Sequence, residues 1–195
     1  MNAWYETMEN LEIAEQPYVS DSDDLYGFED LDFRSGKFIH NWPSAACVKC
    51  TDPMADGPPD DVLRNHIGVP IFSSRLQQAI QLWEITGLQF LPLHVLRSDG
   101  DEITGYAIAN VLDLCPALDT ERSRFDVFAP DYFLETRRGQ ISAVQKVVLA
   151  GKRLTGKDIV RLQEFPVSCF VSTKFVHAYQ TSNCTGWAFH EVEVV

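Results

Sequence analysis

Residues 71–90, IFSSRLQQAIQLWEITGLQF, read as one continuous strand–cap–helix–cap–strand unit. Val69-Pro-Ile-Phe72 is a short apolar strand, and Ser73 is an N-cap whose hydroxyl can satisfy a free helical N–H. A helix over 75–85 then puts Leu76, Ala79, Ile80 and Trp83 on one face. Gly87 is expected as its C-cap, because glycine alone takes positive φ without steric penalty, and residues 88–96 follow as a strand. The pattern recurs without a gap 99 residues later, where 170–189 reads FVSTKFVHAYQTSNCTGWAF. Ser73 faces Ser172, Ala79 faces Ala178, Gln81 faces Gln180, Thr86-Gly87 faces Thr185-Gly186 and Phe90 faces Phe189. These identities sit where a repeated cap–helix–cap geometry would need them. On this reading Thr185-Gly186 closes a helix, Trp187, opposite Leu88, belongs to the core, and His190 lies at the rim.

Outward from the first unit, 97–101 is a turn, 106–112 a strand and 113–124 a charged loop. Further strands are expected at 125–129, 132–136, 141–149 and 158–162, with turns at Arg138-Gly139 and Gly151-Lys152. Upstream, 51–61 (TDPMADGPPDD) is dense in Pro, Gly and Asp and marks a boundary. Residues 31–34 and 37–40 alternate around Ser35-Gly36 as a short hairpin would. Residues 17–30 read as an acidic loop, and 2–16 fit either a helix (Trp4, Met8, Leu11, Glu15) or a strand starting at Trp4. The expected fold is α+β, a mostly antiparallel sheet with two related strand–helix–strand units, 68–96 and 165–195, at an offset of 99 residues. Residues 1–61 form an acidic N-terminal region packed on or extending the core of an α+β domain at 62–195.

The 195 residues are 45% apolar and 11% aromatic, enough for one sizeable core. No apolar stretch is long enough to span a membrane, and the N-terminus lacks a basic start with an apolar run, so the expected compartment is the cytoplasm. Net charge is −12, and its placement is uneven. Residues 1–33 hold ten acids (Glu6, Glu9, Glu12, Glu15, Asp21, Asp23, Asp24, Glu29, Asp30 and Asp32) and no Lys or Arg. Residues 34–195 carry 18 acids against 16 bases. A field concentrated at one end repels nucleic acid and membrane surfaces and steers a basic protein inward. Tyr18, Leu25, Tyr26, Phe28, Leu31 and Phe33 are interleaved with those acids, as in an interface whose rings bury area while charges set rate and choice. The same rings could fold back onto the protein's own core, and the acids could be a solvating flank.

Five cysteines, an odd number, fit reduced thiols better than a disulfide framework. Cys47 and Cys50 are the one close pair, with His40 and His66 as the nearest further donors; no second pair completes a zinc pattern, and no metal or cofactor is expected. The chain has no GxSxG, HExxH, P-loop or GxGxxG, and Ser73 and Ser172 occupy cap positions, so no catalytic residue is assigned. His177 follows Phe175 on a helix whose apolar face also holds Ala178 and Tyr179, which suits a structural, partly exposed histidine.

Three stretches together resemble one bacterial family, the eleventh numbered immunity family of polymorphic toxin systems, formerly a domain of unknown function. They are Pro70-Ile-Phe-Ser-Ser74 with the helix after it, DIVRLQEFP at 158–166, and the closing Phe170-Val-Ser-Thr, helix and TGWAFHEV at 185–192. The resemblance covers roughly residues 62–195 and implies an α+β protein, not an enzyme, that binds and silences a cognate toxin. It carries no binding residues with it. From the charge pattern, the expected contact residues are Asp21, Asp23, Asp24, Tyr26, Phe28, Glu29, Asp30 and Asp32, against a nuclease toxin whose active site must be electropositive to hold phosphate. A type VI or contact-dependent secretion system would deliver such a toxin. The alternatives are a protein-binding module stabilised by metal at Cys47 and Cys50, or an unrecognised small enzyme.

Overall fold

The computed structural model describes residues 3–10, 18–19, 25–26, 31–50, 59–65 and 67–195. In chain order the elements are β1 (Trp4–Glu9), β2 (Tyr18–Val19), β3 (Leu25–Tyr26), β4 (Cys47–Lys49), β5 (Arg64–Asn65), β6 (Ile71–Phe72), α1 (Ser74–Leu82), β7 (Leu88–Leu96) and β8 (Glu102–Val111). They continue as β9 (Leu114–Cys115), β10 (Arg124–Val127), β11 (Ile141–Lys146), β12 (Val148–Leu149), β13 (Ile159–Leu162), β14 (Cys169–Ser172), α2 (Thr173–Thr181) and β15 (Trp187–Val194). The fold is α+β, dominated by strands. One sheet runs β12-β15-β1-β14-β13-β9 and another β3-β4-β7-β8-β6, with β10-β11 and β2-β5 as separate pairs. Most pairings are antiparallel; β12 with β15, β13 with β9, β4 with β7 and β2 with β5 are parallel.

Several strands are buried on both faces, which is why they read as unbroken apolar runs rather than alternating ones. In β14, Cys169 and Val171 enter a cluster with Leu76 and Ile80 of α1 and Phe175 and Tyr179 of α2, while Phe170 points the other way toward Trp4, Leu149 and Leu154. In β8, Ile108 packs with Val48, Leu91 and Val95, and Ala109 with the helices. The helices therefore meet the inner faces of both sheets in one cluster, flanked by a second apolar layer on each side.

Of the two readings of residues 2–16, the strand is formed at Trp4–Glu9. It lies inside the six-stranded sheet, between β14 and β15, with Trp4 opposite both Ser172 and Val192 and only 4% exposed. Phe33, Ala46, Val48 and Cys50 are likewise buried in the cluster of the five-stranded sheet. Phe33 is thus a ring that folds inward.

Four local expectations are corrected. Residues 31–40 hold a turn at 33–35, with Gly36 at φ 68°, but no flanking strands. Ile39 N–H instead donates to Gln89 Oε1, and Asn110 Nδ2 donates to Lys37 O, so side chains rather than a partner strand satisfy this backbone. Residues 132–136 are not a strand: β10 pairs directly with β11, and 128–140 connects them, with a single 3-10 turn at Glu135–Arg137. The apolar run Tyr132-Phe133-Leu134 does not alternate, and Asp131 after Pro130 favours a turn. The expected strand at 141–149 is split into β11 and β12.

The fourth correction concerns the helix ends. The caps of α1 and α2 are Trp83 and Ser182, and the left-handed residues after them are Glu84 (φ 49°) and Asn183 (φ 50°), not the glycines. Ile85 N–H donates to Ile80 O while Glu84 N–H donates to Gln81 O; Cys184 to Tyr179 and Asn183 to Gln180 repeat that arrangement. This is the Schellman closure, with its reaching amide two residues past the cap. At both N-termini the serine cap is as expected: Ser73 Oγ accepts from Leu76 N–H and Ser172 Oγ from Phe175 N–H, each at 3.3 Å.

Candidate partner-binding surface

Of the expected contact residues, Asp32 is exposed, and its Oδ1 accepts from Arg34 N–H at 2.9 Å while Ser35 Oγ donates to its carbonyl. The carboxylate thus sits at the head of a fixed turn with its charge toward water. Tyr26 lies on β3, its backbone opposite Cys47 of β4. Asp21, Asp23, Asp24, Phe28, Glu29 and Asp30 fall outside the described residues. Beside Asp32 in sequence, Phe38 is 55% exposed and lies against the His40 ring, centroids 5.0 Å apart.

Sequence reasoning missed two buried aspartates that organise the middle of the molecule. Asp61, 3% exposed, accepts from Ser73 Oγ and from Arg75, and its Oδ2 accepts from the Thr185 N–H at 2.9 Å. Asp158, 9% exposed, accepts from Ser172 Oγ, from Lys174 Nζ and from the Thr86 N–H at 3.1 Å. Each aspartate therefore holds the start of the helix that follows it and the Thr-Gly after the other helix. The glycines complete the contact: a Cβ on Gly186 would stand 2.5 Å from Val62 O, and one on Gly87 3.1 Å from Ile159 O. Burial alone would raise the Asp61 carboxyl, but hydrogen bonds from Arg75, Ser73 and Thr185 outweigh it and hold the group below the usual carboxylate value. The signal was present, since Asp61-Val-Leu-Arg64 and Asp158-Ile-Val-Arg161 are alike, but they are 97 residues apart and a gapless offset of 99 passes over them.

The chemistry these side chains offer is structural. Burial pushes the thiols of Cys115 and Cys169 above their ordinary value and Cys184 up to about 11, so they stay protonated near neutrality. Cys47 lies on β4 and Cys50 just after it, where Cys50 N–H donates to Leu96 O; they are part of a sheet rather than of a free loop. Among the described residues no group of three or more His, Cys, Asp or Glu is placed to hold a metal ion. A cleft of about 740 Å³ is lined by Trp4, Leu154, Lys152, Lys157 and Lys174, and two of these lysines are paired, Lys157 with Asp113 and Lys174 with Asp158. His177 stacks edge-on to Trp83 at 6.5 Å, and Trp187 packs edge-on to Phe72 at 5.2 Å, inside the helix cluster.

His94 offers a pH readout. Its Nδ1 lies 2.8 Å from Glu102 Oε1, and that hydrogen bond, then the Glu102 charge and the Ser44 carbonyl, raise its pKa above the ordinary value. A raised folded-state pKa means the protonated form favours folding. The contribution is fully present below about 6.5 and fades as pH rises through the folded value. In an NMR titration His94 is expected to titrate above about 6.5 in the wild type and to fall back toward it in Glu102→Gln; equal values in both proteins would remove the assignment.

No helix among the described residues is long and apolar enough to cross a membrane. No curated protein matches the chain. The family model described as Immunity protein family (Imm11) matches residues 5–194, which takes in β1, both helices and both Asp–Ser–Thr-Gly contacts. The chain therefore belongs to the Imm11 immunity protein family.

Proposed function

We propose that this protein neutralises a cognate bacterial toxin by binding it, without catalysis of its own, in the cytoplasm. The toxin is a nuclease effector of a type VI or contact-dependent secretion system, and the acidic N-terminal segment covers its phosphate-binding site. The observation that carries this reading is the charge placement in a member of an immunity family: ten acids and no bases in residues 1–33. A nuclease must concentrate positive potential where phosphate binds, and an acidic segment competes for that potential. Asp21, Asp23, Asp24, Glu29, Asp30 and Asp32 supply charge, and Tyr26 and Phe28 supply buried area. Of the six proposed contact acids, Asp32 is the described one, and its exposed, turn-fixed carboxylate supports the reading.

The test is titration against the toxin domain encoded by the neighbouring gene, made catalytically inactive. Neutralising those six acids to Asn or Gln keeps the backbone and is expected to lower the association rate at least about tenfold and flatten its salt dependence. Unchanged rate and salt slope would remove the acidic segment from the interface, and a metabolic enzyme as the neighbouring gene product would count against the immunity reading itself.

We further infer that residues 61–96 and 158–194 are two copies of one unit. What supports this is the exchange between them, in which Asp61 reaches Thr185 and Asp158 reaches Thr86, on top of like serine caps and like helix closures.

A further inference from the structure

We propose that the β10–β11 arm is a second anchor for the same toxin, inserting an apolar tip into a cleft outside the toxin's basic site. This rests on the immunity reading above. The arm is a two-stranded sheet paired to neither of the large sheets. Its strands are fixed: Phe125 and Ile141, the latter opposite Val127, pack against the cluster of Leu118, Leu149 and Leu154, and Lys146 pairs with Glu193 of β15 at 2.7 Å. Its tip is bare. Phe133 is 75% exposed, Val127 52% and Leu134 43%, within eight consecutive residues.

Those side chains are held in place rather than loose. Tyr132 stacks on Phe128 and on Phe133, each pair with centroids 4.6 Å apart. Arg137 lies over the Phe128 ring, and Arg138 Nε donates to Tyr132 O. Ordered aromatics beside arginine are the composition that interface centres favour, because little side-chain freedom is lost on docking.

Charge selects the occupant. The tip, residues 127–140, carries Arg137 and Arg138 against Asp131 and Glu135, with Arg138 paired to Glu135 at 3.3 Å, so it is close to neutral on a chain of net charge −12. A second copy of the chain would bring another −12 toward the first, which opposes self-association through the tip. A distinct protein with an apolar cleft and a carboxylate at its rim matches the apolar tip and Arg137 beside it. The near-neutral apolar tip and the acidic segment thus differ in electrostatic character and suit different faces of one toxin.

The experiment uses the full chain and the inactivated toxin domain of the neighbouring gene, with affinity read by calorimetry. Phe133→Ala with Leu134→Ala is expected to weaken binding by about 30-fold through faster dissociation, with the salt slope of association unchanged. Both side chains are exposed, so a melting curve should match the wild type, and Phe133→Ser alone provides a second variant. Less than about threefold weakening in both variants, with the wild type still binding, overturns the arm and leaves the immunity reading standing. A wild type that fails to bind this toxin sinks that reading and the arm with it. A wild type that sediments as a dimer, and becomes a monomer in the variants, assigns the tip to a second copy and overturns the proposal.

Discussion

Asp61→Ala is expected to lower the free energy of unfolding by about 3 kcal/mol. The carboxylate is almost fully buried and accepts from two donors, the Ser73 hydroxyl and the Thr185 amide. Removing it breaks two charge-assisted hydrogen bonds, from the half-buried Ser73 hydroxyl and from the Thr185 amide, each worth about 1.5–3 kcal/mol. Arg75 adds little to that total, because its side chain is 56% exposed and recovers water when the pair is broken. Asp158→Ala should cost about 2 kcal/mol, since it loses the same kind of contacts at longer distances, 3.1–3.3 Å. Urea unfolding of the two variants against the wild type measures both; a loss below about 1 kcal/mol for Asp61→Ala would mean that the clamp does not hold the two halves. pH supplies an independent check. The folded pKa of Asp61 lies below its unfolded value, so its ionised form stabilises the fold at pH above about 3.9, and that advantage disappears as pH falls through the folded value. The gap between wild type and variant should therefore narrow in acid, not in base.

Gly186→Ala is expected to cost about 3 kcal/mol, which for a chain of this size lowers Tm by roughly 6–12 °C. Two effects act together. At φ 106° an L side chain is strained whatever surrounds it, and the new Cβ would lie 2.5 Å from Val62 O and 3.0 Å from Asp60 Cβ. Backbone atoms of a paired segment cannot swing aside as a lysine tip could, and Val62 N–H itself donates to Thr185 O at 3.0 Å. Gly139→Ala separates the two effects: φ is 74° there, yet nothing lies within 4 Å, so only the backbone strain of about 1 kcal/mol remains. Equal melting temperatures for the two variants would show that close approach plays no part at Gly186.

These glycines illustrate how far local reading reaches. Thr185-Gly186 looks like a helix C-cap because glycine is common there, and the helix does end nearby. Asn183 and Glu84 take the left-handed position instead, since the closure needs one positive φ immediately after the cap and these residues stand there. Glycine three residues later answers a different demand, the approach of a strand from the other half of the chain. Nothing within 20 residues of Gly186 in sequence specifies Val62. The serine caps, by contrast, were legible because an N-cap hydroxyl bonds an amide three residues away.

The candidate surface divides along the same line. The sequence alone determined the charge asymmetry, the positions of both helices, their serine caps and the resemblance that the family match over residues 5–194 bears out. Each of these depends on neighbours within a few residues or on composition. Only the tertiary structure decided that Trp4–Glu9 is an inner strand, that Phe33 is core, and that Tyr132–Leu134 caps an arm rather than forming a strand. It also decided that Asp61 and Asp158 each hold the Thr-Gly after the other helix. Strand order and buried carboxylate partners are set by contacts between residues up to 188 positions apart, as between Trp4 and Val192. Such pairings are chosen by the packing of the whole core, and local periodicity does not encode them.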